Sequence, residues 1–201
     1  MRESREGRSP SRAPQGFLAL RRVEVVRTYL TLDDPALLRE AAPADPSARI
    51  VRRSPCPVPL HRRLYKDVGG QWFWHDRLEW SDEDLATHLA SPDVGLWELL
   101  VGDDSAGYYE LQRHDDGGVE IAYFGLVPRF IGRGLGGWML THAVRDAWEM
   151  GAQRVWLHTC TLDSPNALPG YKARGFREFK TERLEVDIEG TQVVGERLLH
   201  D

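Results

Sequence analysis

The alternation of apolar and polar positions changes period several times along the chain. Residues Arg22 to Tyr29 (RVEVVRTY) are β-branched and partly alternating, the pattern of a strand. From Asp33 to Pro59, prolines at 35, 43, 46, 55, 57 and 59 break any period, which predicts loop with one short helix near Ala36–Ala41. Leu60–Lys66 fits a helical turn, and the aromatic run 71–76 fits neither period. Ser81-Asp82-Glu83-Asp84 opens a helix, with Ser81 as N-cap and Asp84 near the N3 position, and the helix stops before Ser91-Pro92.

Two apolar runs, Gly95–Val101 and Ala106–Arg113, flank the turn residues 102–105 and predict a hairpin. A second turn, Asp115–Gly118, leads into a strand over Val119–Val127 that Pro128 ends. Leu140, Ala143, Val144 and Ala147 recur at helical spacing, so a long helix runs from about Gly134 to Met150, with Gly151 closing it. Then come a strand over Arg154–Thr161, a short helix over Ala167–Arg174 capped by Gly175, and an extended stretch over Phe176–Ile188 with a hairpin partner at Gln192–Leu199. This order predicts an α/β (α+β) layer fold, a mixed and mostly antiparallel sheet of about six to seven strands flanked by helices. Within it, strand 119–127, the long helix and strand 154–161 form a βαβ unit with its two strands parallel.

Composition narrows this picture. A length of 201 residues suits one domain. The first 14 residues carry four Arg and two Glu among Ser and Pro, so they are expected as a disordered tail ahead of a single domain over 15–201. No apolar run approaches the roughly 18–20 residues of a membrane helix, and the start of the chain has no apolar signal segment, so no membrane partner is expected. Cys56 and Cys160 have neither metal nor disulfide spacing, which points to a reducing, cytoplasmic setting. The seven histidines show no ligand spacing, so no metal is expected. A net charge of −5 argues against a nucleic-acid partner, which needs a basic footprint.

Glycine changes the picture most. Five of the 19 lie between Gly125 and Gly137, at a junction of strand and long helix. Glycines there let backbone N–H groups approach a ligand, and the helix start adds a partial positive charge, so the junction reads as a phosphate cradle. Arg129 and Arg133 add positive charge, with no acid between Pro128 and Arg145. Gly132, Gly134 and Gly137 spell the dinucleotide G-x-G-x-x-G, but the context fails: the acid expected at the end of the next strand comes only at Asp163. No Gly-Lys-Ser/Thr is present, which excludes a P-loop.

The junction instead resembles the acyl-CoA loop of the GNAT superfamily of N-acetyltransferases. The resemblance is carried by Leu126-Val127-Pro128, Gly132-Arg133-Gly134-Leu135-Gly136 and a helix with Trp138-Met139-Leu140, followed downstream by Ala167-x-x-x-Tyr171-Lys172-x-x-Gly175-Phe176. It covers roughly Arg22 to Ile188. It implies acetyl-CoA as co-substrate, held by Leu126, Val127, Ile131, Gly132, Arg133, Gly134, Leu135, Gly136, Gly137, Asn166 and Tyr171. Two departures are visible: Ile131 stands where the family usually has Gln or Arg, and Ser164 stands where an Asn is frequent, with Asn166 two residues later.

The resemblance further implies direct attack by a primary amine, of a small molecule or of a peptide or protein. An alkyl ammonium with a pKa near 10.4 must first lose a proton. Glu120 is placed as the base, with Glu110 or an ordered water as alternatives. Tyr171 is placed as the acid near the leaving thiolate, and the Val127 amide, with Leu126 beside it, as the oxyanion donor. Trp72, Trp74 and Glu110 are placed on the acceptor side, where His75, Asp76 and Glu79 also fit a cationic amine. A Cys–His pair, Cys160 with His158 two residues apart on one strand, lacks a third orienting group. A homodimer is open. The competing reading is an acyl-CoA-binding GNAT-like domain without catalysis, and thiol release that depends on added amine separates the two.

Overall fold

The computed structural model describes residues 20–43, 45–190 and 192–199. The segment expected as a tail lies outside them. The first strand is longer than the alternation suggested: β1 spans Leu20–Leu32, exposed at its start and buried at Leu30, Thr31 and Leu32. The proline-rich stretch that follows holds a single 3₁₀ turn at Pro35–Leu37, capped by Asp34, and then a strand, β2 (Ala48–Arg53), where the reading expected loop. Helix α1 runs over Val58–Gly69, well beyond the turn expected at Leu60–Lys66. Pro59 sits in its first turn, where a missing N–H costs nothing. His61, Leu64, Tyr65 and Val68 supply its buried face at helical spacing.

Helix α2 (Asp82–Leu89) starts as expected, with the Ser81 hydroxyl accepting from the Asp84 amide at 3.0 Å. Strands β3 (Val94–Val101), β4 (Asp104–Arg113) and β5 (Gly118–Leu126) form an antiparallel meander. Helix α3 (Leu135–Glu149) crosses over to β6 (Arg154–Cys160), which pairs with β5 in parallel. Helix α4 (Ala167–Ala173) leads into the hairpin of β7 (Arg177–Glu189) and β8 (Gln192–Leu198).

The sheet has eight strands in the order β2-β3-β4-β5-β6-β1-β7-β8, with β5–β6 as its one parallel pair. The expected six to seven strands become eight through β2, whose partner β3 supplies the hydrogen bonds that a proline-flanked segment could not signal by itself. The position of β1 is the larger surprise. It lies between β6 and β7, antiparallel to both. The main core joins α1, α2 and α3 to the central strands, and a smaller cluster of Val25, Leu184, Val186, Ile188 and Val193 lies on β1, β7 and β8 with Phe73 packed on it.

Candidate active site

The opening in the sheet has a local cause. Opposite β4, Glu110 pairs with Tyr123 and Leu111 with Ile121, so Ala122 is an extra, unpaired residue. Such a bulge bends its strand and ends regular pairing. The β5–β6 ladder stops at Glu120–Trp156, and β6 continues against β1 alone. At the gap lies a cleft of about 510 Å³, lined by the glycine loop and α4, by residues 72–76 and by strands β1, β7 and β8.

The loop wall follows from glycine conformations. Gly132 (φ 82°) and Gly134 (φ 76°) both adopt the left-handed region, which other residues enter at a cost. Gly134 is the N-cap of α3 and brings no side chain to its first amides. These N–H groups are therefore free to bind an anion at the positive end of the helix. A Cβ at Gly132 would meet nothing within 4 Å, so the space there is open. On β5, a Cβ at Gly125 would lie 2.5 Å from Val68 Cγ1, so glycine lets α1 pack tightly behind the cleft.

Most residues singled out from sequence come together on this cleft. Leu126, Ile131, Gly132, Gly134, Gly136, Gly137, Asn166 and Tyr171 line it, together with Trp72 and Trp74. Val127 and Leu135 are buried in the core behind the loop. Arg133 pairs with Asp45 at 3.2 Å, Arg129 lies 3.7 Å from Asp104, and both stack on Phe130. The positive charge expected of this junction is thus partly neutralised by acids distant in sequence. The amide expected as the oxyanion donor is not available. The Val127 N–H donates to the Ala106 carbonyl at 2.9 Å and is occupied. Amides alternate in direction along an antiparallel ladder, so the Leu126 N–H faces the other edge, which β6 has vacated.

Tyr171 packs its ring against Phe124 and Phe176. Burial, with the nearby Asp163 charge, raises its pKa and keeps the phenol protonated. Glu120 is not on the cleft wall. One of its oxygens contacts His114 Nε2 at 3.0 Å, and the other lies 3.8 Å from Nε2 of His158, which does line the cleft. Glu110 is farther removed. It has no exposed surface and meets His61 (3.1 Å), His88 (2.8 Å) and Arg77 (3.4 Å). Burial alone would raise its pKa, but the bonds from His61 and His88 and the Arg77 charge outweigh that and hold it at about 2.

That cluster reaches the cleft wall at one remove. The Arg77 guanidinium stacks on Trp80 (4.0 Å) and Tyr123 (5.2 Å), and the Tyr123 hydroxyl donates to Asp76 at 2.5 Å. Burial opposes ionisation of Asp76, yet the Tyr123 bond prevails and lowers its pKa, so a carboxylate faces the cleft. Three further charged groups on the wall, Arg27, Asp163 and Glu196, escaped the sequence reading as site residues, and His158 entered it only as a partner for Cys160. They come from β1, β6, the loop after it and β8, and only topology unites them. Arg27 donates to Glu196 at 2.8 Å. Cys160 shares the cleft with His158, but burial pushes its thiol up to about 11, which leaves it a poor nucleophile at neutral pH. Among the described residues no group of three or more His, Cys, Asp or Glu has the arrangement of a metal site, and no helix is long and apolar enough to cross a membrane.

Comparison with known proteins gives a consistent result. Residues 62–176 match the profile of the acetyltransferase (GNAT) family. The chain is 31% identical over 154 residues to a mycothiol acetyltransferase of Corynebacterium efficiens, an alignment that covers 69% of this chain and 50% of that protein. The chain therefore spans about half the length of that curated relative. A GCN5-related N-acetyltransferase from Kribbella flavida superposes with a TM-score of 0.60 at 17% identity, covering 85% of this chain and 60% of the other. An aminoglycoside acetyltransferase from an uncultured soil metagenomic sample, solved with trehalose, superposes with a TM-score of 0.55 at 16% identity, covering 65% of this chain and 88% of the other.

Proposed function

Because the chain belongs to the acetyltransferase (GNAT) family, we propose that it transfers the acetyl group of acetyl-CoA to a primary amine by direct attack in a ternary complex. The carrying observation is the single cleft that runs from the glycine loop, through the β5–β6 gap, to the aromatic wall. Two substrates entering from opposite ends would meet in that gap.

In this reading the α3 amides behind Gly132–Gly137 hold the pyrophosphate. The Leu126 N–H donates to the thioester oxygen as it takes up charge. Tyr171 remains a phenol and donates its hydrogen bond to the departing thiolate, whose pKa of about 8.5 makes it a fair leaving group. Glu120 belongs to the path that removes the amine proton. Trp72 and Trp74 wall the acceptor end, with Asp76 as a counter-charge for a cationic amine. Glu110 supports that wall through Arg77 and Tyr123. The two free thiols, Cys56 and Cys160, support a reducing, cytoplasmic setting.

The test is thiol release from acetyl-CoA with a panel of amines, amino acids, aminoglycosides and peptides. Release that depends on an added amine is expected. Tyr171→Phe should lower kcat by about 10²-fold, the lower end for general acids because a thiolate leaves readily. CoA binding without stimulation by any acceptor would favour the non-catalytic reading instead.

A further inference from the structure

Two imidazoles line the cleft, His75 beside Asp76 (3.6 Å) and His158, and of these His158 is the one on the parted strands β5 and β6, with Glu120 of β5 3.8 Å away. It projects from β6 where the ladder to β5 has ended, and it lines the cleft at the gap. The groups that face it come from every neighbouring element: Arg27 and Tyr29 on β1, Glu120 on β5, Asp163 after β6, and Asp76 before α2. Tyr29 is turned to Glu182 at 2.7 Å and Arg27 to Glu196 at 2.8 Å. Asp163 is engaged by the Thr159 hydroxyl and the Cys160 amide. The His158 Nε2 edge is directed at the free oxygen of Glu120, 3.8 Å away, whose other oxygen is fixed by His114.

From this geometry we infer that His158 is the general base of the transfer and that Glu120 is its positioning residue. The inference rests on the acetyl-transfer reading above. A proton on Nε2 directed at Glu120 leaves the lone pair on Nδ1. The 3.8 Å separation is longer than a hydrogen bond, as catalytic contacts often are before substrate binds. The acceptor, after losing its ammonium proton to solvent, attacks the thioester carbon as a neutral amine, forming C–N while the carbonyl π pair moves to the oxygen. The ammonium proton of the tetrahedral adduct passes to Nδ1 of His158. The C–S bond then breaks with its electron pair on sulfur, and the thiolate is stabilised by Tyr171 and protonated by way of solvent. Burial and the Arg27 charge depress the imidazole pKa, the carboxylates of Glu120, Asp163 and Asp76 oppose them, and the net displacement is downward. The base is therefore in its free form at neutral pH.

The experiment compares wild type, His158→Ala, His158→Gln and Glu120→Gln with the best acceptor found. The histidine variants should lose about 10²-fold or more in kcat, with the KM for acetyl-CoA unchanged. Added imidazole should restore part of the rate of His158→Ala. The wild-type profile of kcat/KM against pH should show an extra acid limb below the ordinary histidine pKa of about 6.5, which both histidine variants lack. In Glu120→Gln that limb should move to lower pH, and the NMR titration of the His158 ring should move with it. A melting curve for each variant separates misfolding from lost chemistry, and the wild-type NMR titration stands even if a variant unfolds. Histidine variants within about threefold of a working wild type, or a rate that imidazole leaves unmoved, would overturn the base while leaving the transferase reading intact. A wild type that acetylates no amine would sink both.

Discussion

Glu110 carries a large energetic stake for a single side chain. It is a fully buried carboxylate held by His61, His88 and Arg77. Removing one partner of such a cluster leaves buried charge uncompensated, so Glu110→Ala should cost about 3–5 kcal/mol in a denaturant titration. Its pKa in the folded protein, about 2, lies below the reference 4.5. The stabilisation is therefore complete above about pH 4.5 and is lost as pH falls toward 2. Acid unfolding should follow that window in the wild type and flatten in Glu110→Gln. Gly132 separates binding from stability. Space around it is open, so Gly132→Val strains only the backbone, by about 1–2 kcal/mol. Its side chain would stand in the phosphate cradle, and calorimetry should show CoA affinity at least about tenfold weaker.

Among the elements, α3 and its loop were legible from sequence because their signals are local: apolar positions at helical spacing, Gly134 at the start and Gly151 at the end. Helix α1 and strand β2 were not. Prolines around them read as breakers, although Pro59 sits where a helix tolerates it and β2 draws its pairing from β3. The chemistry of the site divides in the same way. The glycine loop and Tyr171 are contiguous motifs, but the approach of Glu120 to His158 depends on the parallel pairing of β5 with β6, which brings together residues far apart in the chain. The wall proposed to face the acceptor depends on another long-range bond, from the Tyr123 hydroxyl to Asp76. Tyr123→Phe removes it and should raise the acceptor KM by about 2- to 10-fold, the worth of one hydrogen bond, with the KM for acetyl-CoA unchanged. Initial-rate kinetics check both.

For the molecule as a whole, net charge describes the cleft poorly. The chain carries −5, yet Arg129 and Arg133 flank the cradle, and each is met by an acid from another part of the chain. Ligand binding should register globally, because the cradle draws on β5 and α3 and the cleft lining also on β1, β7 and β8. CoA at about 100 times its Kd should add about 2.7 kcal/mol, which raises Tm by about 5–10 °C for a chain of this size. Differential scanning calorimetry reads this directly. Deleting residues 20–32 should abolish the cooperative transition, because β1 supplies six paired positions to β6 and twelve to β7.

The central place of β1 also sets a timetable. During synthesis β1 leaves the ribosome before every other strand described, while β6 and β7 leave more than 120 residues later. At about 5–20 residues per second, its exposed apolar positions wait several seconds or more for partners. The meander of β3, β4 and β5 can form meanwhile, but the two halves of the sheet stay unjoined until β6, which pairs with both β5 and β1, emerges. Assembly of the cleft is consequently a late event in the birth of the chain, and nascent chains stalled before Arg154 should bind no CoA.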